Sequence, residues 1–376
     1  MQINDLISEL KPLFGLTVLI ATLEVVEHIM VICDLFVVGK LGELQFASVG
    51  LAGVYFWVLI VVAMSPLSVI GVIVAEAQFK HLGKDAINLR CAHGFWVVVA
   101  MMAIPFGFMT WFMANLLAMT GIDPTLLPII AEYTQVLIYV LHFAMLFVWL
   151  RNYFSGLEIS KPITLIALAA APANLGLNFL LVFGIGDWPG MRVKGAGYGT
   201  SIINSLMLVA LIAVLYQRDR ESFLSILKHI RKINFPIIGQ ILRTGSGPSA
   251  IALLAATMSV TALAAHNLVF AVLELGMLIS VGIGETAMVR VAFHLGRKDA
   301  TGIRHTLWIG LVLGTVSMCL CAAILALFPE FFLTILLENA TEDSAAILLV
   351  MQSFILAAAL RLSGDLQYRA KEHSKK

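Results

Sequence analysis

Four ionisable side chains, Glu24, Glu27, His28 and Asp34, fall inside one apolar stretch, Pro12–Val38. At about 100° per residue, Glu27 and Asp34 lie within roughly 20° of each other, and all four share an arc of about 120°. One ionisable group at membrane depth costs about 2.5–3.5 kcal/mol on insertion scales, so a stripe of four belongs against water or polar partners enclosed by other helices. The chemistry open to it is reversible binding of a proton or small cation. The plainer alternative is a packing network that satisfies itself.

A second polar group follows further on. Pro172 cannot donate to the carbonyl of Leu168 and so kinks its helix, while Asn174 and Asn178, four apart, share a face. A freed carbonyl, two amides and an acid from the first stretch would make an oxygen-rich cation site, to which Thr200 could add a hydroxyl. The alternative is a kinked helix whose asparagines bond to a neighbour. Gly195, Gly197 and Gly199 precede Thr200 without the strand that a phosphate-binding loop needs, so Gly195 and Gly199 predict close helix packing. Glu27, His28, Glu274 and Asp365 are further candidates for a polar substrate cavity. Asp365 follows Arg361 by four and also suits a local ion pair. His266 and Glu285 fall near the ends of their stretch, an interfacial position, and His142 suits packing.

The remaining motifs exclude more than they suggest. The chain contains neither GxSxG nor HExxH, and Cys33, Cys91, Cys319 and Cys321 have no CxxC metal spacing, so no enzyme, bound cofactor or metal centre is expected. The net charge of +1 says nothing about nucleic acid, but the few charges sit in loops and not on a basic face, so no nucleic-acid partner is expected.

The elements that position these residues are apolar helices. Hydrophobic residues make up 60% of the chain and charged residues 12%, about half the share of a soluble domain, which predicts an all-α polytopic membrane protein with the lipid bilayer as its surroundings. Ten spans can be drawn: Pro12–Val38, Leu44–Ala75, Phe95–Ala118, Tyr133–Leu150, Pro162–Ile185, Gly195–Gln217, Gly247–Leu263, Ala264–Val289, Thr306–Phe328 and Ser344–Leu360. With the N-terminus in the cytoplasm, 21 of the 24 lysines and arginines face inward, which predicts an even number of spans with both termini cytoplasmic. This assigns Arg151–Lys161 to a cytoplasmic loop. Residues 218–234 carry Phe223, Leu224, Leu227 and Ile230 at helical spacing among basic residues, predicting an amphipathic helix on the cytoplasmic face.

The chain also repeats itself. His81-Leu82-Gly83-Lys84-Asp85-Ala86 after the second span matches His294-Leu295-Gly296-Arg297-Lys298-Asp299-Ala300 after the eighth, on the same side of the membrane. This is a parallel repeat, which predicts two helix bundles. Residues 1–217 form a first lobe of six spans, residues 218–246 a linker, and residues 247–376 a second lobe of about four spans with a basic tail.

At Asp34-Leu35-Phe36-Val37-Val38-Gly39-Lys40-Leu41-Gly42 and Ala47-Ser48-Val49-Gly50-Leu51 the chain resembles the multidrug and toxic compound extrusion (MATE) transporters. Asn174 to Gly184, Leu263-Ala264-Ala265-His266, and Val289-Arg290-Val291 with Gly296 and Asp299 carry the same resemblance. It implies two six-helix lobes around a V-shaped cavity in the inner membrane. It also implies export of organic cations and aromatic drugs against inward H⁺ or Na⁺. By resemblance, Asp34 is the first-helix acid of coupling, Asn174, Asn178 and Thr200 line a cation site, and Asp365 is an acid of the second lobe. Asn178 stands where some members carry aspartate. The seventh span is short and the last two helices of the pattern have no counterpart, so a non-transporting protein with only its first lobe intact is one alternative. A lipid-linked oligosaccharide flippase is another.

Overall fold

A computed structural model of the chain describes residues 3–80, 82–101, 107–119, 122–231, 279–280, 282–295 and 297–327. The described residues form α1 (Ile3–Gly39), α2 (Glu43–Phe79), α3 (Lys84–Met101), α4 (Gly107–Trp111), α5 (Met113–Ala118), α6 (Leu127–Gly156), α7 (Lys161–Phe183), α8 (Val193–Arg218), α9 (Arg220–Ile230), α10 (residues 282–295) and α11 (Ala300–Leu327). Among them α1, α6, α7, α8 and α11 are long and apolar enough to cross a membrane. The chain is an all-α, multi-pass membrane protein.

The first six expected spans correspond to α1, α2, α3 to α5, α6, α7 and α8. The third, read as one run, is α3 followed by two short helices, with Pro105 in the undescribed gap between them. The seventh and tenth spans, most of the eighth, and with them Glu274, His266 and Asp365 lie outside the described residues. One expectation changes. Arg151 is not in a loop: α6 continues to Gly156, because the apolar pattern resumes at Tyr153 and Phe154, both buried.

Helix α6 packs between α2 and α8, α7 packs on α8, and α1 packs on α7. Leu141, Met145, Phe147 and Phe154 fill the middle of this bundle. Where backbones meet, glycine is required. A Cβ on Gly156 would lie 2.5 Å from the carbonyl oxygen of Gly71, so α2 and α6 could not approach as they do. Gly184 ends α7 at φ 82°, a left-handed conformation, and its amide still donates to Leu180 O at 2.8 Å. The turn that follows brings Met191 N to Leu181 O at 2.7 Å and sets the start of α8 against the end of α7.

Among the described residues, α1 to α10 and α11 as far as Leu311 form one compact unit, and the rest of α11 belongs to a second. In the second, the hydroxyls of Ser280 and Ser317 are 2.8 Å apart.

Helix α9 packs on α3. Its polar side grips α3. Asp219 caps it, accepting from Ser222 N at 3.0 Å, and also accepts from Lys84 Nζ at 2.8 Å. Asp85 accepts from Ser225 Oγ at 2.7 Å and lies 3.0 Å from His229 Nε2, while Trp96 Nε1 donates to Ile230 O at 2.7 Å. The Lys84 and Ser222 hydrogen bonds hold Asp219 below the usual carboxylate range, and those from Ser225 and His229 do the same for Asp85. Leu224 and Leu227 stay exposed on the opposite side.

Candidate cation site and a buried arginine cluster

Asp34 is 7% exposed, on the face of α1 that meets α7 and α8. Its Oδ1 accepts from Asn174 Nδ2 at 2.7 Å and from Asn178 Nδ2, and its Oδ2 accepts from Thr200 Oγ1 at 2.6 Å. The four residues expected to line a cation site are thus brought together by three helices. Asn174 and Asn178 are both fully buried on one face of α7, as their spacing of four requires. The carboxylate needs donors, so both amides must turn their NH₂ groups to it. That leaves Asn174 Oδ1 and Asn178 Oδ1 buried and without hydrogen-bond partners. Two unmet amide oxygens beside one buried carboxylate form a donor set suited to a small hard cation or a proton.

The glycines of α8 make this possible. A Cβ on Gly199 would overlap Asn178 Oδ1, and one on Gly195 would overlap the backbone of Leu181. A Cβ on Gly197 would stand 2.8 Å from Val136 of α6. The close helix packing expected of Gly195 and Gly199 is what the structure holds, and its result is to press Asn178 against α8.

Glu24 and Glu27 do not join Asp34. They reach Arg151, which is 3% exposed: its Nη1 is 3.1 Å from Glu24 Oε1 and 3.2 Å from Glu27 Oε1. Glu285 of α10 is 3.7 Å from Arg151 Nη2. His28 is half-buried one residue beyond Glu27. The stripe read from α1 therefore divides. Its end at Asp34 faces α7 and α8, while its middle is held by a cation from α6. Arg151 is the residue that sequence reasoning missed. A partial signal was available: four ionisable groups on one span call for a cation nearby, and Tyr153 and Phe154 resume the apolar pattern two residues after Arg151.

The MatE family model matches residues 20–180 and 236–375. A "Probable multidrug resistance protein NorM" of Bradyrhizobium diazoefficiens is 26% identical over 373 residues, covering 96% of this chain and 79% of that one. The protein of the same description from Synechococcus sp. is 25% identical over 377 residues, covering 97% and 81%. Among solved structures, the crystal structure of the eukaryotic MATE transporter AtDTX14 matches with a TM-score of 0.77 at 18% identity, over 93% of this chain and 78% of that one. An outward-facing multidrug resistance MATE family transporter of the MOP superfamily matches with a TM-score of 0.76 at 16% identity, over 92% and 78%. With the family model covering most of its length, the chain belongs to the MatE family.

Proposed function

We infer that the protein is a secondary active transporter of the inner membrane that exports cationic and aromatic drugs or toxins in exchange for H⁺ or Na⁺. The multidrug resistance relatives and the family match support multidrug efflux over both a non-transporting remnant and a lipid-linked oligosaccharide flippase. In this reading small organic cations are the cargo, and the basic loops and both termini face the cytoplasm, as the charge bias of the sequence requires.

The observation that carries the coupling role is the buried Asp34 held by Asn174, Asn178 and Thr200. As a carboxylate, Asp34 accepts from all three. A proton added at Oδ2 turns that oxygen into a donor. Thr200 can answer without moving its backbone, because its hydroxyl lies 2.6 Å from Asp34 Oδ2 and 3.1 Å from the carbonyl oxygen of Ala196. It donates to Asp34 in one state. In the other it accepts from Asp34 and donates to Ala196. The unmet oxygens of Asn174 and Asn178 supply ligands should the coupling ion be Na⁺.

The test is Asp34→Asn in cells that lack their own drug pumps. Ethidium accumulates in them to the level of cells with no transporter, while the amount of protein in the membrane stays unchanged. Ethidium export at the level of the unsubstituted protein would remove Asp34 from the coupling role.

A further inference from the structure

The Arg151 cluster has no part in the site at Asp34. It lies two helical turns away along α1, about 10 Å toward the N-terminal end of that helix. Two ion contacts there join first-half helices to α10. Arg151 of α6 reaches Glu285, and Arg290 Nη1 donates to Glu158 Oε1, just past the end of α6, at 3.0 Å. Arg151 and Glu158 lie at the end of α6, and Arg290 lies in the second half of α10, which leads to Arg297 and Lys298.

The surface between these helices differs from the core of the bundle. Gly282 sits so close to α1 that a Cβ would stand 2.9 Å from Ala21 Cα, and beside it Ala75, Val289 and Ala292 are buried with Leu16 and Val72 packed against them. A void of about 10 Å³, lined in part by Ser68, Asn152, Ser155 and Glu285, remains between them. This buried apolar cluster is far smaller than the core of the bundle, so parting it exposes less apolar area.

The charges allow the same. If α10 withdraws, Arg151, the buried cation that stays behind, keeps Glu24 at 3.1 Å and Glu27 at 3.2 Å, while Arg290 leaves Glu158 and moves with α10. Two contacts break, Arg151–Glu285 at 3.7 Å and Glu158–Arg290 at 3.0 Å. Glu285 and Glu158, with side chains 26% and 30% exposed, already border the surface and regain water.

We propose that Arg151–Glu285 and Glu158–Arg290 form an ionic latch that closes the cytoplasmic side of the transporter and opens by withdrawal of α10. The latch rests on the reading of the chain as an exporter with its basic loops inside. The test uses the full chain with Cys33, Cys91, Cys319 and Cys321 replaced by alanine and Ser155→Cys introduced behind the latch. A membrane-impermeant maleimide is applied to inside-out vesicles. Glu158→Arg or Arg290→Glu alone speeds labelling at position 155 by about tenfold, as expected for losing one ion pair from a two-state equilibrium, and the double exchange slows it again. Glu285→Gln, nearly isosteric, also speeds labelling and covers the case in which a charge reversal prevents folding. Equal labelling in Glu285→Gln and the parent, or a double exchange that labels as fast as either single variant, overturns the latch. The readout does not depend on export: labelling as expected in a protein that moves no drug keeps the latch and overturns the exporter reading.

Discussion

Thr200 and Gly199 show how narrowly the site is set. Thr200 is the one partner of Asp34 whose hydrogen can swing, so the two ways of removing it differ. Thr200→Ser keeps the hydroxyl and keeps efflux near the parent level. Thr200→Val keeps the shape but removes a hydrogen bond to a charged group, about 1.5–3 kcal/mol, and drug export falls at least severalfold in the ethidium assay. Equal export by the two variants would show that the hydroxyl takes no part. Gly199→Ala drives a methyl group into Asn178 Oδ1. Overpacking of this kind costs about 1–3 kcal/mol, so the purified protein melts several degrees lower and its export drops. A melting temperature equal to the parent's would mean that α7 and α8 can part without loss. Asp34, Asn174, Asn178 and Thr200 were legible in the sequence because polar side chains stand out in apolar helices and the spacing of four placed both amides on one face. That Asp34, and not Glu24 or Glu27, is the acid they meet was legible only through the family resemblance. Arg151 was hidden because a basic residue at the end of an apolar run reads as the start of a loop, and its partners are more than 120 residues away.

At the scale of elements, α9 is held by polar contacts at both ends, and Asp219 serves two of them. Asp219→Ala removes the helix cap, about 1 kcal/mol, together with the contact to Lys84; Asp219→Asn keeps a cap and loses only the charge. Backbone amides of residues 220–230 therefore exchange with deuterium faster in Asp219→Ala than in Asp219→Asn, which stays close to the parent because an exposed ion pair adds little. The reverse order would make the ion pair, not the cap, the main fastening. The pH dependence follows from the same contacts. Asp219 and Asp85 are held below their ordinary values, so their contribution is present above about pH 4 and is lost as pH falls through the lower folded values. Lys84, raised by its hydrogen bond to Asp219, contributes below about pH 10 and is lost above it. Exchange in α9 is then flat between about pH 5 and 9, once corrected for intrinsic rate, and speeds up below about pH 4. The helical spacing of Phe223, Leu224, Leu227 and Ile230 made the helix legible. Its docking on α3 was not, since Lys84, Asp85 and Trp96 lie some 130 residues earlier and bear no mark of that pairing.

At the scale of the whole molecule, the repeat between residues 81–86 and 294–300 divides the sequence into two halves at the linker, whereas the contacts of α10 run to the first half. Gly282 meets Ala21, Val289 and Ala292 meet Ala75, Glu285 meets Arg151, and Arg290 meets Glu158. The hydrophobic pattern encodes which residues enter a membrane. It does not encode which helix of one half a helix of the other half touches, and a salt bridge between distant spans leaves no local period to find. These contacts bear on whether the first six spans stand alone. A fragment ending at residue 246 keeps the site at Asp34 and the pair of glutamates on Arg151, so its buried charges remain matched and it inserts and folds. It loses the packing of α10 on Ala21 and Ala75 and one carboxylate of the arginine cluster. Scanned in the same detergent, the fragment melts several degrees below the full chain, and Glu285→Gln in the full chain accounts for only part of that difference, the remainder being close packing. Equal melting temperatures for the fragment and the full chain would show that α10 adds nothing to the first six spans, and that the repeat alone describes how the molecule is divided.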